Sequence, residues 1–234
     1  MARKTGVPSH LGYSDLLFGR SDGMNEYGLC VTTSSGGDNR APASMGLSEI
    51  FIVRAILDRC RSVDEALAIL QELTPAGSIN VSVADAEGRA ALYEANGGTH
   101  AARQVAAGDS TEPYLFSTNH TSLPGMTEYN ENSNPSMLAN SRARMCLISS
   151  RLGAVRPKIT RETLRGMLST HIPDGLCAHF YSRGFGTVFQ MIYDASSLNA
   201  DVCFGAPTHN QWRSVSLADP VGLVRVVSVF PNKR

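Results

Sequence analysis

Three short segments carry polar residues whose types and spacing suit chemistry. Asp22-Gly-Met-Asn-Glu-Tyr-Gly-Leu29 offers a side-chain amide and a carboxylate at Asn25 and Glu26. Ser117-Thr-Asn-His120 offers an amide and an imidazole. Cys177 and His179 offer a thiol and a second imidazole, two residues apart. Each also has a plainer reading. The first is a turn between strands, with Asn25 tolerant of left-handed backbone and Gly28 supplying freedom. His120 reads as a cap at a strand end. Cys177 and His179 are not expected to form a thiol–imidazole pair of their own. Cys30, Cys60, Cys146 and Cys203 fall in apolar strand or helix patterns and read as small core residues. With five cysteines, an odd and irregularly spaced set, a disulfide framework is not expected. CxxC and HExxH are both absent, so a zinc site is not expected.

The elements that must position these residues follow from the pattern. A short strand is expected around Tyr13–Phe18, and a strand rich in β-branched residues over Leu29–Ser34. Ser35–Pro42 reads as a loop. Ser48 starts a helix with Ile50, Phe51, Val53, Ile56 and Leu57 on one face. Ser62 and Glu65 form a capping box for a second helix, Val63–Leu73, ended by Pro75 and Gly77. Ile79–Asp85 and Ala90–Ala95 alternate about a turn and read as a hairpin. Tyr114–Thr118 reads as a strand, and 121–140 as a long surface loop. Helices are expected over Ser141–Leu152 and Thr160–Thr170. Strands are expected over Thr187–Tyr193, Ala200–Phe204 and Trp212–Leu217.

Strands at both ends with paired helices between do not fit a regular βαβ alternation. An α+β layered fold is expected, as one domain over 1–234. The 234 residues are 42% hydrophobic, which suffices for one large core. Twenty-one basic and 21 acidic residues balance, so nothing favours nucleic acid or an anionic membrane. No apolar run approaches the roughly 20 residues that span a bilayer, and no signal peptide is visible. A cytoplasmic protein is expected.

The order Asp-Gly-Met-Asn-Glu-x-Gly-Leu, Ser-Val-Asp-Glu-Ala, Thr-Asn-His, Gly-Thr-x-x-x-x-x-x-Asp and Gly-x-Pro resembles the acyl-coenzyme A:6-aminopenicillanic acid acyltransferase family, relatives of choloylglycine hydrolase. The resemblance covers roughly residues 12–217. It implies an αββα N-terminal-nucleophile fold. It also implies a cysteine amidohydrolase or acyltransferase that cleaves linear amides through a thioester, with the cysteine's own α-amine as base and no metal or organic cofactor. Asn119 matches the amide that helps bind the oxyanion. Ser34 or Ser35 stands where some relatives place an Asn, so a contribution there comes from backbone N–H. Asn25, His120, Cys177 and His179 are carried as substrate-binding candidates. The matching nucleophile segment is not found: no cysteine precedes Asp22. The sequence therefore reads as the later two-thirds of such a domain, N-terminally truncated. It acts on a small-molecule amide, or it is an inactive remnant. The expected partner is a second copy or a complementing N-terminal chain.

Overall fold

Alternation decides the first layer. Along Cys30–Ser35 and Ile79–Ala84, every second residue faces two helices. The computed structural model describes residues 6–14, 16, 18–37, 46–111, 113–131, 133–156, 158–219 and 228–230. Residues 38–42 of the expected loop lie outside that set, as do positions 15 and 17 of the strand expected at Tyr13–Phe18. The chain divides into two compact units, residues 1–142 with 195–198, and 143–194 with 199–234.

The first unit holds a six-stranded antiparallel sheet in sequence order: β1 (His10–Leu11), β2 (Asp22–Asn25), β3 (Cys30–Ser35), β4 (Ile79–Ala84), β5 (Ala90–Asn96) and β6 (Thr99–Val105). The first strand thus precedes the expected position. The sixth was not expected at all, because Thr-His-Ala-Ala-Arg-Gln-Val has no clean alternation and lies exposed on the edge. Helices α1 (Glu49–Arg59) and α2 (Val63–Glu72) follow β3 as expected. Their Ile52, Val53, Ile56, Leu57, Leu67 and Leu70 close on Val31, Val81, Val83 and Tyr93 to make the main core. Phe51 is 45% exposed and is not part of it. Ser62 accepts the Glu65 amide at 3.3 Å, while the Glu65 carboxylate takes the Arg61 N–H at 2.7 Å. The capping exchange is therefore displaced by one residue from the expected box.

The opposite sheet face is polar. Register places Ser34, Asn80 and Glu94 side by side across β3, β4 and β5, with Thr32, Ser82 and Leu92 one step along. Residues 113–130 lie over this face. They do not form the expected strand or a loose surface loop. Leu123 and Met126 pack on Leu92, a 3-10 turn forms at Thr127–Asn130, and helix α3 (Pro135–Val155) already begins within the expected loop. Asn134 caps α3 by accepting the Ser136 and Met137 amides at 3.0 and 3.3 Å.

The second unit contains α4 (Arg161–Ser169), short strands β7 (His179–Phe180) and β8 (Phe185–Gly186), and a three-stranded antiparallel sheet. That sheet is β9 (Phe189–Asp194), β10 (Asn199–Phe204) and β11 (Arg213–Ser216), with β10 central. Thr160 caps α4 in a reciprocal exchange with Thr163. Only Met167 of α4 is buried. Charge fixes the rest: Arg165 meets the buried Asp201 carboxylate at 2.8 Å, and Arg161 meets Asp194 at 2.9 Å. Among the described residues no helix is long and apolar enough to cross a membrane.

Candidate active site

The backbone around Asn119 is held by the polar row beneath it. Ser34 donates its hydroxyl to the Thr118 carbonyl at 3.0 Å. Asn80, fully buried, donates its amide to the Thr118 and His120 carbonyls at 2.8 and 3.0 Å. Glu94, also fully buried, accepts from the Ser122 and Leu123 amides at 2.8–2.9 Å and from the Ser122 hydroxyl at 2.8 Å. A buried carboxylate is costly unless it gathers donors, and here the 122–123 backbone supplies them. One row of three side chains therefore fixes the path of residues 118–123.

The bend itself is locked from the other side. Thr118 and His120 bridge one another, leaving Asn119 at the apex, half-buried. The His120 Nδ1 lies 2.8 Å from the Ser141 hydroxyl and 3.1 Å from that of Thr118, which donates to the Ser141 carbonyl at 3.1 Å. Ser141 is fully buried, so this serine–imidazole contact is a brace rather than a nucleophile and its base. The expected strand is absent among the described residues, and His120 braces the bend through Ser141 and Thr118.

Ser34 and Ser35 end β3 beside this bend. Gly37 follows with φ +98°, a conformation that favours glycine, and a Cβ there would stand 3.8 Å from His120 Cα. The Gly36 amide donates to the Ser78 carbonyl at 2.9 Å and that of Gly37 to the Ser35 hydroxyl at 3.4 Å. Ser34, Ser35, Asn119 and His120 thus belong to one locality.

Asn25 does not share it. It sits at the turn joining β2 to β3, on the order of 15–20 Å from Ser35 at strand rise. All four hydrogen-bonding positions of its buried amide are used. It donates to the Leu57 and Cys60 carbonyls at 3.1 and 2.7 Å, and accepts from the Tyr27 and Leu29 amides, both at 3.1 Å. The motif ties a tight turn to the end of α1. Cys177 and His179 lie in the second unit. The Cys177 sulfur is 3.9 Å from the Thr208 hydroxyl, and the His179 ring packs edge-on against His171 and His209 with centroids 4.2 and 5.0 Å apart. Among the described residues no group of three or more His, Cys, Asp or Glu side chains is arranged to hold a metal.

Two of the five cysteines sit where burial disfavours the thiolate. Cys60, Cys177 and Cys203 are buried, and burial pushes the Cys60 and Cys203 thiols up to about 11. That runs opposite to the lowered pKa an attacking thiolate requires. Cys30 is half-buried within β3, and Cys146 is exposed on α3.

Asn80 and Glu94, which hold the backbone around Asn119, are positions that sequence reasoning missed. Their signal was present but faint: both fall on the face of the hairpin away from the helices, at matching register.

The six-stranded sheet under two helices, with a second antiparallel sheet carrying its own helix, has the fold of N-terminal-nucleophile hydrolases. Two variants of conjugated bile acid hydrolase from Clostridium perfringens share it. One aligns with a TM-score of 0.54 over 90% of this chain and 77% of its own, at 11% identity. The other has a TM-score of 0.50 over 89% and 77%, also at 11% identity. Penicillin V acylase from Agrobacterium tumefaciens aligns over 86% of this chain and 67% of its own, with a TM-score of 0.46 and 15% identity. A search of curated proteins finds no match. The model of the acyl-coenzyme A:6-aminopenicillanic acid acyl-transferase family matches residues 5–209, and the chain belongs to that family.

Proposed function

We propose that this chain supplies the oxyanion-binding part of a linear-amide hydrolase or acyltransferase, with Asn119 as the side-chain donor. The observation that carries the reading is the Ser34–Asn80–Glu94 row, which fixes the backbone on both sides of Asn119. A preorganised donor stabilises charge that develops on a carbonyl oxygen, because it has no reorganisation left to undergo. In the reaction, a thiolate attacks the amide carbonyl and the oxygen takes the negative charge. The amine then leaves with a proton, giving a thioester. Water, or a second amine, attacks the thioester and returns the thiol.

The attacking sulfur is not one of the five cysteines in this sequence. It belongs to a segment that completes the site, either a cysteine-bearing N-terminal stretch or a partner chain. The exposed Thr32, next to Ser34 on the polar sheet face, marks uncovered surface where such a segment would lie. Purified chain is assayed with glycine-conjugated bile acids and with phenoxyacetyl amides, alone and with a cysteine-bearing N-terminal fragment from a family member. Turnover and a hydroxylamine-trappable acyl thioester are expected only with the fragment. Equal turnover by the chain alone, unaffected by replacing its cysteines, would contradict the reading.

A further inference from the structure

The sheet of the first unit ends differently on its two sides. Strand β1 is two residues long, whereas β6 runs for seven, and no described strand pairs with its outer side. Which backbone groups of β6 point outward follows from the turn before it. Gly97-Gly98 joins Asn96 to Thr99 with Gly97 at φ +58°, the shape of a tight hairpin. The closing pair of such a hairpin bonds to itself, and bonded pairs then alternate. Asn96↔Thr99, Glu94↔Ala101, Leu92↔Arg103 and Ala90↔Val105 are therefore the hydrogen-bonded pairs. The N–H and C=O groups of His100, Ala102 and Gln104 face away from β5. Among the described residues no backbone bond to another element takes them up. All three residues are exposed. Neither end of the strand is crowded, since a Cβ on Gly98 or on Gly108 would meet nothing within 4 Å.

An open edge accepts another strand, and natural sheets guard against this with proline, lysine, bulges or shortness. Strand β6 has none of these. Thr99–Val105 contains no Pro, Lys, Asp or Glu, and its register with β5 runs without a bulge. Its one permanent charge, Arg103, lies on the polar face of the sheet, opposite Leu92. The outward groups are also symmetric, because His100 and Gln104 flank Ala102 at equal spacing. We propose that β6 pairs antiparallel with β6 of a second copy, about a two-fold axis at Ala102. In that register Ala102 faces the partner's Ala102, and His100 faces the partner's Gln104. Each of these pairs exchanges both of its N–H···O bonds. On the polar face Arg103 stands opposite the partner's Ala101, so no like charges are directly opposed. A second copy is the occupant that the symmetry fits: one contact uses the outward groups of both chains and closes the assembly. A contact one strand wide is small beside the roughly 1,200–2,000 Å² of standard interfaces, so the pairing is weak and depends on concentration.

Sedimentation of the intact chain, from micromolar to submillimolar concentration, tests for the dimer. Amide hydrogen exchange over the same range locates it. A reversible monomer–dimer equilibrium is expected. The amides of His100, Ala102 and Gln104 should exchange more slowly as dimer accumulates, and those of Ala101 and Arg103, already bonded to β5, should change less. Ala102→Pro removes the central outward N–H without removing a bond to β5, and should weaken association about tenfold or more. Ala102→Lys keeps that N–H but sets two like charges on the axis, and should weaken association about two- to fivefold, less so in high salt. Retained protection of Ala101 and Arg103 shows that a variant keeps β6 on its sheet. Should the proline variant lose it, the lysine variant decides. A chain that stays monomeric throughout, a dimer indifferent to substitution at Ala102, or slowed exchange confined to other strands would overturn the proposal. So would protection of the three outward amides only when a cysteine-bearing N-terminal fragment is added, because the edge would then belong to that fragment.

Discussion

The two units differ in what their buried carboxylates and amides bond to. In the first, buried polar groups bond to backbone. Asn25 holds the end of α1 and its own turn, Asn80 and Glu94 hold residues 118–123, and Asp85 accepts from the Val63, Glu87 and Arg89 amides. In the second, the buried Asp201 carboxylate bonds to side chains, those of Arg165 and Ser214. Side chain to backbone bonds fix the path of a chain, whereas ion pairs fix only the seating of a helix on a sheet. A residue that must present one amide in one direction gains from the first arrangement. Asn119 has it.

Differences in stability should follow the same division, and each substitution below sharpens or breaks it. Ile56→Ala removes a fully buried side chain from the main core and should cost about 3–4 kcal/mol in denaturant unfolding. Met167→Ala, the only buried position of α4, should cost less than half as much. Equal costs would mean that the second unit rests on apolar packing after all.

Asp201→Asn should come next, at about 2 kcal/mol. It leaves two arginines facing a neutral amide, but both are about one-third exposed and remain hydrated. Its effect should appear as faster amide exchange in β9–β11 and shrink in high salt. Glu94→Gln should cost about 1–3 kcal/mol and free the Ser122 and Leu123 amides to exchange, with β9–β11 unchanged. Loss of protection in both sheets would dissolve the distinction.

The smallest expected effect is on pH dependence. Burial first, then the charges of Arg20 and Arg54, lower the His10 pKa in the fold, against the raising influence of Asp58. The unfolded chain therefore binds the proton more readily. Stability is fully present above about 6.5 and is lost as pH falls through the lowered folded value. His10→Asn should flatten that part of a thermal-melt pH series. An unchanged slope would show that other groups carry it.

How far the sequence disclosed this arrangement depends on where each residue's partners lie. Helices α1 and α2 were legible because Val53, Ile56 and Leu57 repeat at helical spacing. The 79–96 hairpin was legible because Val81 and Val83 alternate with Asn80 and Ser82. Strand β6 was not, since an exposed edge strand needs no apolar pattern. The early start of α3 was readable in Asn134-Pro135, a cap followed by proline, but the surrounding Asn, Ser and Gly hid it. Asn119 was found only through family resemblance. Its supports escaped because Glu94 bonds to backbone 28 residues away, and no local pattern encodes a partner at that range.

The most direct measurement is the kcat of the chain complemented by a cysteine-bearing segment, compared with its Asn119→Ala variant on one amide substrate. The account predicts a loss on the order of 10²–10³-fold in kcat with KM little changed. An unaltered kcat would remove Asn119 from the oxyanion site and leave the polar row beneath it as scaffolding alone.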